Sequence, residues 1–179
     1  MKKNILLGVT GSIASFKACS LIGLFREKGY AVRCMMSRSA GRFITQLTLE
    51  TLTGERVVRG MFRLSENSSP PHISLADEAD VILVAPATAD IIGKVSAGIC
   101  DDILTSTVCA AGCPVVFAPA MNDKMFNNPI VREKIEHLRQ NGYHFIDPAK
   151  GPLACGREGE GRLAPLERIV EETERVLGT

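Results

Sequence analysis

Residues 81–90 read Val-Ile-Leu-Val-Ala-Pro-Ala-Thr-Ala-Asp, and this stretch decides the fold. Five apolar residues, some of them β-branched, precede Pro86. A run this short and this apolar is typical of a strand buried on both faces, as in a parallel sheet covered by helices. Small and polar residues follow Pro86, and from Ile91 onward apolar residues recur with helical spacing. The stretch therefore predicts a buried strand that ends in a turn and leads into a helix.

Similar apolar runs alternate with helical segments along the rest of the chain. Further strands are predicted over residues 4–9, 31–36, 114–118 and 143–146. Helices are predicted from the turn at 10–14 to residue 28, over 73–79, 91–97, 103–110, 129–141 and 166–177, with one or two short ones between 43 and 52. Strands that alternate with helices form a doubly wound parallel sheet. We therefore predict an α/β protein with three layers, αβα, of the Rossmann or flavodoxin-like kind.

The composition suits one domain over residues 1–179, with an apolar share of 45% that allows a sizeable core. The net charge is +1 and the Lys and Arg residues are scattered, which argues against a nucleic-acid-binding surface. No apolar run reaches the length that crosses a membrane, and the N-terminal run is too short for a signal peptide. We therefore expect a cytoplasmic protein with neither a nucleic acid nor a membrane as its partner.

The cysteines indicate one unusual position. The six cysteines form no Cys-x-x-Cys pair, and with only three histidines we expect no metal site. Most of the cysteines are expected to be small buried apolar residues. Cys155, however, lies in the glycine-rich segment 150–165, which is predicted to be a flexible loop or flap. An exposed loop thiol in a cytosolic protein favours a functional role for Cys155.

The turns after the first two strands indicate the kind of ligand, because open α/β sheets bind ligands outside the carboxyl ends of their strands. The first turn has Gly8 and Gly11 but lacks Gly-x-Gly-x-x-Gly, and the second strand ends without an acid for a ribose. Ser12 at the first helix start, with Ser37 and Ser39 at the neighbouring strand end, suits a single phosphate. A mononucleotide such as FMN therefore fits better than NAD, unless these serines act only as helix caps.

Later turns add polar residues whose roles the local pattern leaves open. Thr88 and Asp90 would stand at the crevice after the strand at 81–86. His72 opens a helix, and taken alone it is more often a solvent-facing cap or loop histidine than a catalytic one. Asn122 ends a strand, and taken alone it suits the N-cap of the segment that follows. Met125 could line a pocket, although a core position is the commoner role for such a residue.

Six segments together resemble one family, the homo-oligomeric flavin-containing cysteine decarboxylases. They occur in the family's order at residues 8–14 (Gly-Val-Thr-Gly-Ser-Ile-Ala), 72–80 (His-Ile-Ser-Leu-Ala-Asp-Glu-Ala-Asp), 85–90 (Ala-Pro-Ala-Thr-Ala-Asp), 97–101 (Ala-Gly-Ile-Cys-Asp), 119–122 (Pro-Ala-Met-Asn) and 153–156 (Leu-Ala-Cys-Gly). The histidine, Pro-Ala-Met-Asn and Ala-Cys-Gly are specific in combination. The segment at 153–156 is most similar to that of members that act on phosphopantothenoylcysteine in coenzyme A synthesis.

The resemblance implies FMN as cofactor and phosphopantothenoylcysteine as small-molecule substrate. The implied FMN contacts are Gly11, Ser12, Ile13, Ser37, Ser39, Phe43, Thr88, Ala89, Asp90, Ile91 and Ala120. The implied catalytic residues are His72 and Cys155, and the latter would donate a proton from the flap. The implied substrate contacts are Asn122, Met125, Ala154 and Gly156. The family also implies a homotrimer, assembled in some members into a dodecamer, with sites shared between subunits.

Three residues depart from the pattern of many family members. Asp90 replaces an Asn, so position 90 can accept a hydrogen bond from a flavin N–H but cannot donate an amide proton. Asp102 also replaces an Asn, and Phe126 replaces a Trp. These departures bear on details of the flavin contacts and leave the family resemblance intact.

Other functions share parts of this pattern. A peptidyl-cysteine decarboxylase of the lantibiotic type would share the fold, His72 and the Pro-x-Met-Asn turn, but the segment at 153–156 favours the pantothenate substrate. A non-catalytic flavin-binding regulatory protein is less favoured, because regulators of this fold carry long charged tails. A flavin prenyltransferase has no need of Cys155. The sequence is consistent with a free-standing decarboxylase or with one part of a protein fused to a ligase.

Overall fold

The computed structural model contains a five-stranded parallel sheet with the strand order β2-β1-β3-β4-β5. The structure describes residues 2–62, 69–154 and 156–178. The sheet strands are β1 (Asn4–Val9), β2 (Ala31–Met36), β3 (Val81–Ala87), β4 (Val115–Pro119) and β5 (His144–Phe145). A separate antiparallel hairpin consists of β6 (Ala149–Pro152) and β7 (Glu158–Arg162). The strand order changes direction between β1 and β3, as in the flavodoxin-like arrangement.

Helices cover both faces of the sheet. In the described residues they are α1 (Ala18–Glu27), α2 (Gln46–Thr53), α3 (Pro71–Glu78), α4 (Ala89–Ser96), α5 (Ile103–Cys109), α6 (Asp123–Phe126), α7 (Pro129–Gln140) and α8 (Leu166–Leu177). A 3₁₀ turn, Ile13–Lys17, precedes α1. Residues of α1, α2 and α8 share one buried cluster with the sheet, and residues of α3, α4, α5 and α7 share the other. The predicted three-layer αβα architecture is therefore confirmed.

Strand β3 shows why the sheet is buried on both faces. All of its residues are buried. Val81 and Leu83 pack into the cluster beneath α1 and α8, whereas Ile82 and Val84 pack into the opposite cluster. Successive strand side chains point to opposite faces, so a strand covered on both sides needs an unbroken apolar run. The interpretation of residues 81–86 as a doubly buried strand is confirmed.

The remaining sequence-based elements are found with small shifts at their ends. The helix predicted at 73–79 begins earlier, at Pro71, because proline suits the first turn of a helix. The short helix α6 was not predicted, since its four residues are too few to show a period. The polar loop predicted before His72 falls largely on residues 63–68, which lie outside the described residues.

The segment at 150–165 differs from its prediction. It was expected to be a loop, but the structure contains the β6–β7 hairpin there. Its strands are built from glycines, alanine, proline and charged residues, which show neither β-branched enrichment nor apolar alternation. A sequence pattern could not identify them as strands, because backbone pairing and not side-chain burial forms this ribbon.

None of the helices in the described ranges combines the length and the hydropathy that a membrane crossing requires.

Candidate active site

A cleft of about 900 Å³ lies outside the carboxyl ends of β1, β3 and β4. This volume is within the range of ligand pockets, roughly 300–1,000 Å³. The cleft sits where the strand order changes direction, which is where open α/β sheets bind ligands. The expected site residues that line it are Gly11, Ser12, Ile13, Ser37, Ser39, Thr88, Ala89, Asp90, Ile91, Ala120, Asn122, Met125 and Ala154. Four turns that are distant in sequence therefore meet around one cavity.

The turns after β1 and β2 approach closely because residue 11 is glycine. A Cβ placed on Gly11 would lie 2.4 Å from the Cβ of Ser39, far inside van der Waals contact. The approach brings Ser12, Ser37 and Ser39 to the same end of the cleft. Three hydroxyl groups thus line this end, as the phosphate hypothesis requires.

The same hydroxyls also serve the capping role that was the alternative. Ser12 caps the 3₁₀ turn, where its Oγ accepts a hydrogen bond from the Ala14 N–H at 3.3 Å. Ser37 Oγ accepts from the Ala40 N–H at 3.2 Å. Ser39 makes no capping hydrogen bond through its side chain. Because a hydroxyl that accepts in a cap still carries its own proton, capping leaves each serine able to donate to an anion.

Thr10 joins the turn after β1 to the turn after β3. Its side chain is only 2% exposed. Its Oγ1 donates to the Pro86 carbonyl at 2.5 Å and accepts from the Thr88 N–H at 3.2 Å. Both functions of the hydroxyl are used, so a single buried group fixes the separation of two cleft-lining turns.

We expect Thr10→Val to lower the free energy of unfolding by about 1–3 kcal/mol, because it leaves the Pro86 carbonyl and the Thr88 N–H buried without their partner. Urea denaturation measures this change. Thr10→Ser keeps the hydroxyl and is the control, expected to retain most of the stability. An unchanged denaturation midpoint for the valine variant would show that other contacts hold the two turns.

The turn after β3 presents a carboxylate to the cleft. Thr88 caps α4, and the side chain of Asp90 is 71% exposed with Oδ2 lying 3.6 Å from Lys94 Nζ. Lys94 Nζ also lies 3.1 Å from Asp101 Oδ2, and this hydrogen bond is the main reason that the pKa of Lys94 is raised. Asp102 caps α5, which confirms the predicted helix start there. Asp90 is therefore a negatively charged acceptor whose cation is shared with a second carboxylate.

The turn after β4 holds Asn122 by the capping contact that its local sequence indicated. Asn122 Oδ1 accepts from the Lys124 N–H at 3.0 Å at the start of α6. Met125, one helical turn on, is 48% exposed and lines the cleft, whereas Phe126 is 1% exposed in the core. The prediction that Met125 occupies a core position, the commoner role for a methionine, is thus wrong. Capping fixes the Asn122 backbone and side chain at the cleft wall.

Two expected site residues lie away from the cleft of their own chain. His72 is in the first turn of α3, and its Nδ1 is buried with no hydrogen-bond partner among the described residues. Phe43 is 47% exposed. Neither residue lines the cleft. A single chain does not bring these two residues together with the other site residues. Their roles therefore stay predictions.

The hairpin contributes residues to the cleft wall. Leu153 and Ala154 line it, and the next residue, Cys155, lies outside the described residues. Gly156 has a φ of +80° and does not line the cleft. No group of three or more acidic, histidine or cysteine side chains in the described ranges is arranged to hold a metal ion.

Sequence reasoning missed several lining residues, of which two cations matter most. Lys17 and Arg162 both line the cleft, and neither forms an ion pair with a carboxylate in the part of the chain that the structure describes. Burial, and then the charge of Arg162, lower the pKa of Lys17. They are distant in sequence and stand among scattered charges, so only the fold places them together. The site thus holds two neighbouring positive charges that an anion would neutralise.

Fold and cleft together define a class of protein, a flavodoxin-like α/β protein whose cleft combines hydroxyl donors, apolar side chains and cations at the switch point of the sheet. The chain belongs to the Flavoprotein family, whose model matches residues 1–178. This agrees with the flavin-containing family expected from the sequence motifs.

Curated relatives share about the same region. The chain is 46% identical over 173 residues to the coenzyme A biosynthesis bifunctional protein CoaBC of Bacillus subtilis (strain 168). The matched region covers 97% of this chain and 43% of that protein. It is 41% identical over 169 residues to the CoaBC protein of Borreliella burgdorferi, and that matched region covers 94% of this chain and 43% of the relative. The chain therefore spans less than half the length of these relatives.

Solved structures share the whole fold. A PPC decarboxylase mutant complexed with pantothenoylaminoethenethiol has a TM-score of 0.92 at 30% identity and covers 100% of both chains. The FMN-dependent cysteine decarboxylase SpaF has a TM-score of 0.85 at 27% identity, covering 99% of this chain and 98% of its own. The FMN binding protein AtHal3 also reaches 0.85, at 31% identity, covering 98% and 96%. The predicted flavodoxin-like fold is confirmed over the full chain.

Proposed function

We propose that this chain is an FMN-dependent carboxy-lyase that converts 4'-phosphopantothenoylcysteine to 4'-phosphopantetheine and CO2 in coenzyme A biosynthesis. The observation that carries the proposal is the meeting, around one cleft, of the expected flavin contacts and of Asn122, Met125 and Ala154. The relatives named for coenzyme A biosynthesis and the PPC decarboxylase structure support the same reaction.

The residues present fit FMN. The three serine hydroxyls, drawn together by the close approach at Gly11, suit the phosphate end. Ile13 and Phe16, each 60% exposed, line the same cleft and offer apolar surface to a ring system. When bound, FMN would supply reversible two-electron oxidation of the carbon that carries the substrate thiol, and the resulting thiocarbonyl group would accept the electrons that the departing carboxylate leaves behind.

The chain supplies binding and proton transfer. Asn122 and Met125 both line the cleft. We assign Asn122 to bind the substrate carboxylate and Met125 to contact the neighbouring part of the substrate. His72 acts in the half-reaction that releases CO2, and Cys155 donates the proton that completes the product. In the PPC decarboxylase mutant, pantothenoylaminoethenethiol is the bound molecule, a species that has lost the carboxylate but lacks this last proton and hydride. That state is consistent with a late role for a proton donor on the hairpin tip.

The two cleft cations, Lys17 and Arg162, form no ion pair with a carboxylate among the described residues, and they suit the substrate phosphate. We expect Lys17→Met to lower kcat/KM for phosphopantothenoylcysteine by roughly 10- to 100-fold, because a hydrogen bond to a charged group contributes about 1.5–3 kcal/mol. Steady-state assays of both substrates, with and without phosphate, measure this effect. Pantothenoylcysteine, which lacks the phosphate, should be turned over equally by the variant and the parent. Lys134→Met, on α7, is the control, and an equal loss on both substrates would contradict the assignment.

The site is completed by a second copy of the chain, in a homotrimer or a dodecamer built from trimers. His72 and Phe43 lie outside their own cleft. Phe43 is 47% exposed and Ile73 beside His72 is 37% exposed, so each position offers apolar surface to a neighbouring copy. Sedimentation of the pure protein tests the assembly. We also place the protein in the cytoplasm, since the described cysteines are free thiols and thiols persist in reducing compartments.

Two measurements test the function. The purified protein should be yellow with a flavin absorbance spectrum, and it should release CO2 from phosphopantothenoylcysteine in a redox-neutral reaction. A peptide ending in cysteine is the comparison substrate, and preference for it would favour the peptidyl-cysteine decarboxylases. A colourless folded protein that fails to take up added FMN would contradict the proposal.

A further inference from the structure

We propose that Gly161 is a positioning residue, whose missing side chain lets β7 dock on the Met121–Asn122 turn and hold Asn122 at the cleft. Its effect on turnover rests on the proposed function, whereas its effect on the turn does not. The segment expected to be a flexible flap would then contain one fixed part, β7.

The contact is made backbone to backbone. The Met121 N–H donates to the Gly161 carbonyl oxygen at 2.9 Å. A Cβ on Gly161 would lie 2.2 Å from the Met121 carbonyl oxygen, 3.2 Å from the Asp123 nitrogen and 3.3 Å from the Asn122 carbonyl carbon. All three are backbone atoms, so no side chain can rotate to make room. Gly161 is also absent from the glycines with positive φ, hence close approach and not conformation selects glycine here.

Two further residues, Gly159 in β7 and Arg157 just before it, approach Asp123, the residue that follows the turn. A Cβ on Gly159 would lie 2.6 Å from the Asp123 Cβ. Arg157 lies 3.7 Å from the Asp123 carboxylate. Because alternate residues of a strand share a face, Gly159 and Gly161 approach residues 121–123 from the same side of β7. The strand is thus seated over residues 121–123 along its length and not at one point.

The docking connects the two parts of the substrate half of the cleft. Asn122 lies in the turn that β7 holds, Met125 follows it in α6, and Ala154 lies at the tip of the same hairpin. The turns that carry the serines and Thr88 follow β1, β2 and β3. They make none of the contacts described above between β7 and residues 121–123. Displacing β7 should therefore disturb substrate binding and leave flavin binding intact.

The first test is Gly161→Ala. We expect kcat/KM for phosphopantothenoylcysteine to fall by roughly 100-fold, as for a displacement of about 1 Å at a reacting site, with the FMN dissociation constant unchanged. Amide hydrogen exchange at Met121 should be slow in the parent and fast in the variant, whether or not the protein decarboxylates anything. Gly112→Ala is the control, since a Cβ there meets nothing within 4 Å.

A second pair of variants keeps the test decisive should the alanine at 161 prevent folding. The clash in Gly159→Ala is with the Asp123 side chain, so Asp123→Gly should relieve it and restore Met121 protection and activity in the double variant. Unchanged kcat/KM and exchange in Gly161→Ala, or a Gly159→Ala defect that persists without the Asp123 side chain, would overturn the proposal. A parent protein with no decarboxylase activity but with slow Met121 exchange would overturn only the proposed function.

Discussion

The variant His72→Asn is expected to release CO2 from phosphopantothenoylcysteine roughly 100- to 10,000-fold more slowly than the parent, the usual contribution of one acid–base group. Asparagine preserves a polar group near the Nδ1 position but does not exchange protons near neutral pH. The Nδ1 atom of His72 is buried and has no hydrogen-bond partner among the described residues of its own chain. Its partner therefore has to come from outside them.

FMN binding should be unchanged in this variant, because His72 is not among the proposed FMN contacts. Flavin absorbance titration measures binding, and trapped CO2 measures turnover. His137→Asn, on the exposed side of α7, is the matched control and should behave as the parent. Normal CO2 release by His72→Asn would remove this residue from the mechanism.

Mixed oligomers extend the same prediction to the shared site. His72→Asn and Asn122→Ala are each expected to be inactive, but a site that takes its histidine from one copy and its asparagine from another can be intact in a mixture. Random mixing in equal amounts should restore about one quarter of the parent activity, since each site draws two independent residues. A mixture as inactive as its components would show that both residues belong to a site within one chain.

The fold could be predicted because the burial of each strand determines its pattern of apolar and polar residues. A strand covered on both faces must be apolar throughout, as Val81–Ala87 is, and residues 5–9 of β1 show the same pattern. The hairpin carries no such mark. Its glycines are required by neighbours that are distant in sequence, such as Met121 beneath Gly161, and a local pattern contains no information about them.

Motifs in the sequence predicted which residues belong to the site. They did not predict the contacts that hold these residues together. Ser12 and Thr88 follow predicted strands, so their place at the crevice follows from topology alone. Thr10 is one residue from Gly11, yet its hydrogen bonds to the β3 turn depend on the register of two paired strands. Lys17 and Arg162 become neighbours only when the hairpin folds back over the first helix turn.

Replacing Cys155 by serine should separate CO2 release from product formation. We expect about one CO2 for each bound flavin and product formation slower by at least roughly 100-fold, because an alcohol is a much weaker acid than a thiol of ordinary pKa near 8.5. Cys155 itself lies outside the described residues, but its neighbour Ala154 lines the cleft, which puts the hairpin tip beside the substrate half of the site.

A burst experiment with substrate in excess over enzyme distinguishes the two steps, with trapped CO2 as one readout and 4'-phosphopantetheine as the other. The flavin should stay in its reduced form, seen as lasting loss of its visible absorbance, because the substrate-derived intermediate cannot take up hydride without a proton. Cys100→Ser, an exposed thiol that does not line the cleft, is the control and should complete the reaction. A Cys155→Ser enzyme that forms product at the parent rate would assign the last proton to another group, and one that releases no CO2 would move Cys155 to the earlier half-reaction.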